Sequence, residues 1–173
     1  MGVHASLVEV RGLGTLLLGP SGIGKSECVL ELVRRGFRFV ADDVVELTPT
    51  PEGGLVGRPS PALGHHLEVR GLGILSMLDL FGADAIREEA TVDLVCRLVP
   101  RDGSDVQLDR VGSEREKEPL CGVEIVRVTL PALPAGTLAT LVEVAVRDQA
   151  LRLQGHNAAA RFDAQMRERM RRT

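Results

Sequence analysis

Tryptophan and tyrosine are absent from this 173-residue sequence, and four phenylalanines make up its whole aromatic content. So few rings leave little surface on which single-stranded nucleic acid could stack. An adenine ring bound here would rest on aliphatic or backbone surface. An excess of charge is missing too, since 21 Lys and Arg stand against 24 Asp and Glu. Nothing global therefore favours nucleic acid or an anionic membrane as a partner. The three cysteines, Cys28, Cys96 and Cys121, are odd in number, far apart and without CxxC spacing. That argues against a disulfide framework or a zinc site and for small buried hydrophobes in a reducing compartment. No apolar run approaches the ~18 residues that cross a bilayer. The start, "MGVHASLVEV", lacks the basic-then-apolar pattern of a signal peptide. With 44% apolar residues the chain can bury an ordinary core, and the expectation is one soluble, cytoplasmic domain.

What is present reads as alternating strands and helices. Residues 6–10 alternate apolar and polar and predict a strand, and 15–19, "TLLLG", predict a fully buried one. Over residues 25–36, Cys28, Leu32 and Val33 recur at helical spacing and Gly36 supplies a stop. "FRFVADD" predicts a strand that ends on two carboxylates. Residues 48–64, rich in Pro and Gly, predict a surface excursion. "HLEVRGLGILSML" reads as strand, turn and strand. "TVDLVCRLVP" is a further strand, followed by a polar connection over 101–119. Residues 123–131 and 137–148 also read as strands, and 148–155 and 157–172 as helix. Phe162, Met166 and Met170 repeat at i, i+4, i+8, a stripe expected to pack into the core.

The stretch "TLLLGPSGIGKSE" carries the most chemistry. Gly19, Gly24, Lys25 and Ser26 fit G-x-x-x-x-G-K-[ST], directly after an apolar strand and at the start of a helix. Glycines let successive backbone N–H groups turn toward phosphate oxygens. The helix adds the positive end of its dipole. Lys25 places a cation against the β and γ phosphates, and the Ser26 hydroxyl serves a magnesium ion. A nucleoside triphosphate is the expected ligand. Seventeen residues after Ser26, Asp43 follows Asp42. Strand, loop, helix and strand over that span make the shortest right-handed crossover, so these carboxylates should emerge beside the loop. Neighbours on a strand face opposite ways. One carboxylate can face the γ-phosphate while the other caps a turn or supports the metal, and spacing alone does not say which.

Taken together, "GPSGIGKSE", "ELVRRGFRFVADDVVEL", "HLEVRGLGIL" with "LFG" after it, "LDRVG" and "GHNAAARF" resemble the catalytic domain of bacterial HPr kinase/phosphorylase. The resemblance runs from about His4 to Phe162, and "EVRGLGI" is its most specific segment. It implies a P-loop α/β fold, a mixed sheet with flanking helices. It implies an enzyme that uses ATP and Mg²⁺ to phosphorylate a serine of HPr, the small carrier protein of the sugar phosphotransferase system. Removal of that phosphate by phosphorolysis and assembly as a homohexamer are implied as well. Carried over, Gly19, Pro20, Ser21, Gly22, Ile23, Gly24, Lys25 and Ser26 cradle the triphosphate, and Ser26 and Glu68 hold the metal. Asp43 is the acid/base, His4 a catalytic histidine and Arg110 a catalytic arginine. Asp42, Arg70, Gly71 and Gly73 support them. His65, His66 and His156 match no such role.

Two departures set further expectations. The family carries an N-terminal domain of comparable size, whereas residues 1–173 here read as the catalytic domain alone. The segment before "TLATLVEVAV" is basic in the family but reads "PALPAGT" over 131–137. One missing cation 4 Å from a phosphate forfeits about 4 kcal/mol before desolvation at an effective dielectric near 20. Kinase activity is therefore expected to survive and phosphorolysis to weaken. Two other readings stand beside the leading one: a related kinase acting on another protein or small molecule, and a module that binds ATP without transferring it. Asp43, Glu68 and Arg110 together argue against the last.

Overall fold

Alternation in the first ten residues buries both faces of one strand. In β1 (Gly2–Val10), Val8 and Val10 enter one core and Ala5 and Leu7 the other. Both faces are covered because β1 is central. The structure, a computed structural model, describes residues 1–101, 112 and 114–171. Along one edge β1 pairs antiparallel with β2 (Leu13–Leu18), placing Ala5 opposite Leu18. Its other edge pairs first with β4 (Val44–Pro49), at Gly2 to His4, and then with β3 (Arg38–Ala41), at Leu7 to Glu9. Beyond β2 lie β8 (Ala90–Val99) and β10 (Val123–Pro131), each parallel to its neighbour, and then the antiparallel β9 (Glu116–Leu120). Between β4 and the start of β8, β5 (Leu55–Pro59) pairs with both. The mixed sheet thus curls until β2, β1, β4, β5 and β8 form a closed ring of pairings.

Two cores follow from that curl. Outside it, α1 (Lys25–Arg34) and α3 (Ala135–Leu153) lay Val29, Leu32, Leu138 and Val142 over Val8, Val10, Leu17 and Phe39. Inside it, Leu7, Leu16, Val45, Leu47 and Leu55 fill the ring. Each such side chain, fully buried, contributes about 1.5–3 kcal/mol. Gly14 permits the β2–β8 approach, because a Cβ there would stand 1.7 Å from the Thr91 carbonyl oxygen. A two-stranded hairpin, β6 (His66–Val69) and β7 (Gly73–Ser76), leads into α2 (Met77–Phe81), whose N-cap Ser76 accepts a hydrogen bond from the Asp79 N–H. The chain closes with α4 (Ala158–Arg171).

Several expectations are corrected. Residues 137–148 are helix, part of α3, and the predicted helix at 148–155 is its last turns. The buried positions Leu138, Ala139, Val142, Ala145, Val146 and Gln149 have helical spacing, which the unbroken apolar run "LVEVAV" conceals. The excursion at 48–64 contains β5, whose Gly57 has no Cβ to collide with Leu7 and Val45. The polar connection ends in β9. The second strand predicted in "GILSML" stops at Ser76, where the serine cap starts α2. Phe162, Met166 and Met170 are not core residues: they are exposed, and α4 buries no residue at all. Cys28 and Cys96 are buried as expected, with burial raising each thiol to about 12, while Cys121 is only half-buried.

Candidate functional site

At the end of β2 the chain must turn sharply beside β8. Only glycine fits at position 19, where a Cβ would lie 2.8 Å from the Leu98 carbonyl oxygen. Ile23 donates its N–H to the Pro20 carbonyl at 3.4 Å, closing the loop, and its side chain packs against the outer core. Gly24 then begins α1 in a left-handed conformation, φ +102°, with no side chain capping the helix. The first N–H groups of α1 are therefore left for a ligand, an arrangement that favours an anion. A Cβ built on Gly24 meets nothing within 4 Å, so the space above the loop is open. Ser21, Gly22, Gly24, Lys25 and Ser26 line one pocket there.

The carboxylates arrive by a route the spacing did not predict. β3 is not next to β2: β1 runs antiparallel between them. Two antiparallel steps make β2 and β3 parallel, so both still end on the same edge. There Asp42 and Asp43 part. Asp42 turns inward, 5% exposed. Its Oδ2 accepts from the Ser26 hydroxyl at 2.8 Å and its Oδ1 from the Ser6 hydroxyl at 2.5 Å. Burial pushes the Asp42 carboxyl above its usual value, against the pull of those two hydrogen bonds and of a third from the Asp43 backbone N–H. Asp43 turns outward with its side chain 60% exposed, on a left-handed backbone of φ +65°. Non-glycine residues rarely adopt that conformation, and where they do it often marks a functional site. A bond from the Ala5 N–H to the Asp43 carbonyl, 3.2 Å, holds it there.

His4 lies between the loop and Asp43. Lys25 Nζ stands 3.2 Å from His4 Nε2, and His4 Nδ1 stands 3.1 Å from Asp43 Oδ1 and 3.0 Å from the Asp43 carbonyl. An ammonium only donates, so Nε2 accepts and the proton of the neutral ring sits on Nδ1, directed at Asp43. Lys25 also donates to the Gly19 and Pro20 carbonyls, at 3.0 and 3.1 Å. Burial pushes its amine below the ordinary value, opposed by Asp42 and Asp43. The loop lysine is thus buried, held by neutral acceptors that phosphate oxygens can replace. From β6, Glu68 lines the same pocket, as does Arg70 just beyond the strand. Gly71 and Gly73 do not line it. They shape the hairpin turn, in which Leu72 N–H donates to the Val69 carbonyl.

Comparisons with known proteins place the whole fold. The family model described as the HPr Serine kinase C-terminal domain matches residues 1–166. The chain belongs to that family. HPr kinase/phosphorylase from Geobacillus sp. (strain WCH70) is 46% identical over 164 residues, 95% of this chain and 52% of the relative. That from Geobacter sulfurreducens is 42% identical over 168 residues, 97% of this chain and 52% of the relative. The chain spans about half the length of the curated relatives it matches. Among solved structures, the Hpr(Ser) kinase/phosphatase from Coxiella burnetii superposes with a TM-score of 0.80 at 28% identity. The match covers 89% of this chain and 99% of that one.

Within this HPr kinase C-terminal domain the donors suit magnesium. Ser26, Asp42 and Glu68 line the same pocket with oxygen donors, the hard-ligand set a small divalent cation prefers. Among the described residues no group of three His, Cys, Asp or Glu is placed to hold a metal alone. Arg110 lies outside the described residues. No helix among the described residues is long and apolar enough to cross a membrane. Ser6 escaped the sequence reading. Its signal was a hydroxyl in the inward phase of a strand whose next inward residues are Val8 and Val10.

Proposed function

We propose that this chain is the catalytic part of a protein-serine kinase that moves the γ-phosphoryl group of ATP to a serine of the carrier protein HPr. The observation that carries the reading is the convergence of Lys25, Ser26, Asp42, Asp43 and His4 on one pocket at an uncapped helix start. The names of the relatives support the acceptor. Bound Mg²⁺ and ATP supply the phosphoryl group and much of the charge that neutralises it. The loop N–H groups and Lys25 grip the phosphates, and Ser26, Asp42 and Glu68 are the residues that would hold the metal. Asp43, exposed at the mouth, accepts the proton of the acceptor hydroxyl as its oxygen bonds to phosphorus and ADP departs. His4 orients that carboxylate through Nδ1. Arg110 completes the set by resemblance, balancing charge on the transferring group.

The same resemblance supports a homo-oligomer, a hexamer, and the exposed Phe162, Met166 and Met170 stripe supports burial between copies, which sedimentation measures. The three free thiols are in keeping with a cytoplasmic enzyme. Incubation with radiolabelled ATP, Mg²⁺ and HPr tests the activity. Label on HPr is expected. Turnover only with another protein or small molecule would move the acceptor, and binding without turnover would leave an ATP-sensing module.

A further inference from the structure

We propose that Ser6 is a positioning residue of this phosphoryl-transfer site, holding Asp42 Oδ1 so that Oδ2 stays on Ser26. The proposal rests on the kinase reading above and goes beyond it to a residue that reading does not use. Ser6 lies on β1, on the face that buries Val8 and Val10, and it has no exposed surface. Taking a hydroxyl out of water without a partner is unfavourable. Here the partner is the buried Asp42 carboxylate. The torsion that turns a carboxylate plane is soft. The Asp42 carboxylate also accepts from the Asp43 backbone N–H, and the Ser6 and Ser26 hydroxyls, one on each oxygen, complete its orientation.

The consequence falls on Ser26. A serine hydroxyl has one proton and two lone pairs. While Asp42 Oδ2 takes the proton, at 2.8 Å, the lone pairs are left for a cation. Ser6 therefore acts through Asp42 on the hydroxyl that serves magnesium. His4, two residues earlier on the same strand face, reaches Lys25 and Asp43. One strand face thus runs from core at Val10 and Val8 to metal support at Ser6 and then to His4, which orients the base Asp43.

ADP binding, measured by calorimetry with Mg²⁺ and again with EDTA, tests this without turnover. Ser6→Ala is expected to weaken Mg²⁺-dependent ADP binding about 10-fold or more, the usual cost of losing a group that orients a metal ligand. Binding in EDTA should be unchanged, and Ser6→Thr should restore most of the loss. If the added methyl lowers the melting temperature of Ser6→Thr, Ser6→Cys replaces it. As a weaker donor of similar volume, it should fall between wild type and Ser6→Ala. Ser6→Ala with wild-type Mg²⁺ dependence overturns the proposal, as does an equal loss with and without the metal. Wild-type protein that binds no ADP in either condition overturns the kinase reading, and this proposal with it.

Discussion

Asp43 is the residue at which chemistry and backbone strain can be separated. Its carboxylate is the proposed base, and its backbone sits at φ +65°. Asn is nearly the same shape and tolerates that conformation. Asp43→Asn should therefore keep its fold and its ATP affinity, since the loop, Ser26 and Asp42 are untouched. Transfer to HPr should fall about 10²–10⁴-fold, the usual contribution of a general base, which is about 3–5 kcal/mol of barrier. The stability arm uses Gly and Ala. A left-handed residue with a Cβ costs about 1–2 kcal/mol, and glycine returns about 0.4–1 kcal/mol of that through its freer unfolded chain. Asp43→Gly should thus exceed Asp43→Ala by about 1 kcal/mol, or about 2–4 °C in melting temperature for a domain of this size. Label transfer and thermal melts read the two arms. Wild-type transfer by Asp43→Asn would move the base to Asp42 or elsewhere. Equal melting of the Gly and Ala variants would refute the strain argument.

Other outcomes follow from other parts of the structure. Phosphorylated HPr incubated with millimolar phosphate should release pyrophosphate more slowly than the kinase direction runs, because residues 131–137 carry no cation; matching rates would refute this. Gly14→Ala drives a Cβ into the Thr91 carbonyl and should cost about 3 kcal/mol or more, seen as loss of soluble, folded protein. Burial pushes the Glu118 carboxyl up, but hydrogen bonds from Arg97 and Arg127 outweigh it and hold it below the usual range. Its stabilisation is thus complete above the unfolded value of about 4.3 and is lost as pH falls through the lower folded value. Melting temperature measured from pH 6 to pH 3 should show that loss, and Glu118→Gln should flatten it.

The glycine-rich loop was legible because its geometry is local. Gly19, Gly24, Lys25 and Ser26 act within eight consecutive residues, and backbone turn, helix start and cation all follow from their order. α1 stops at Gly36 for the same reason. The α3 segment was misread because "LVEVAV" is apolar enough to suit a strand or a helix, and only packing against the sheet selected the helical period. The α4 stripe was misread because periodicity shows that a face is apolar, not that anything covers it.

The sequence by itself determined that a glycine-rich loop leads into a helix and that two carboxylates end the next strand, since these are matters of composition and short-range order. Which carboxylate turns inward to Ser26 and which outward to His4 was decided only in three dimensions. β1 inserts between β2 and β3, brings Ser6 to Asp42 and His4 to Asp43, and so gives adjacent residues different partners. Strand insertion joins residues 36 or more positions apart in the chain, and no local pattern of side chains encodes such a meeting.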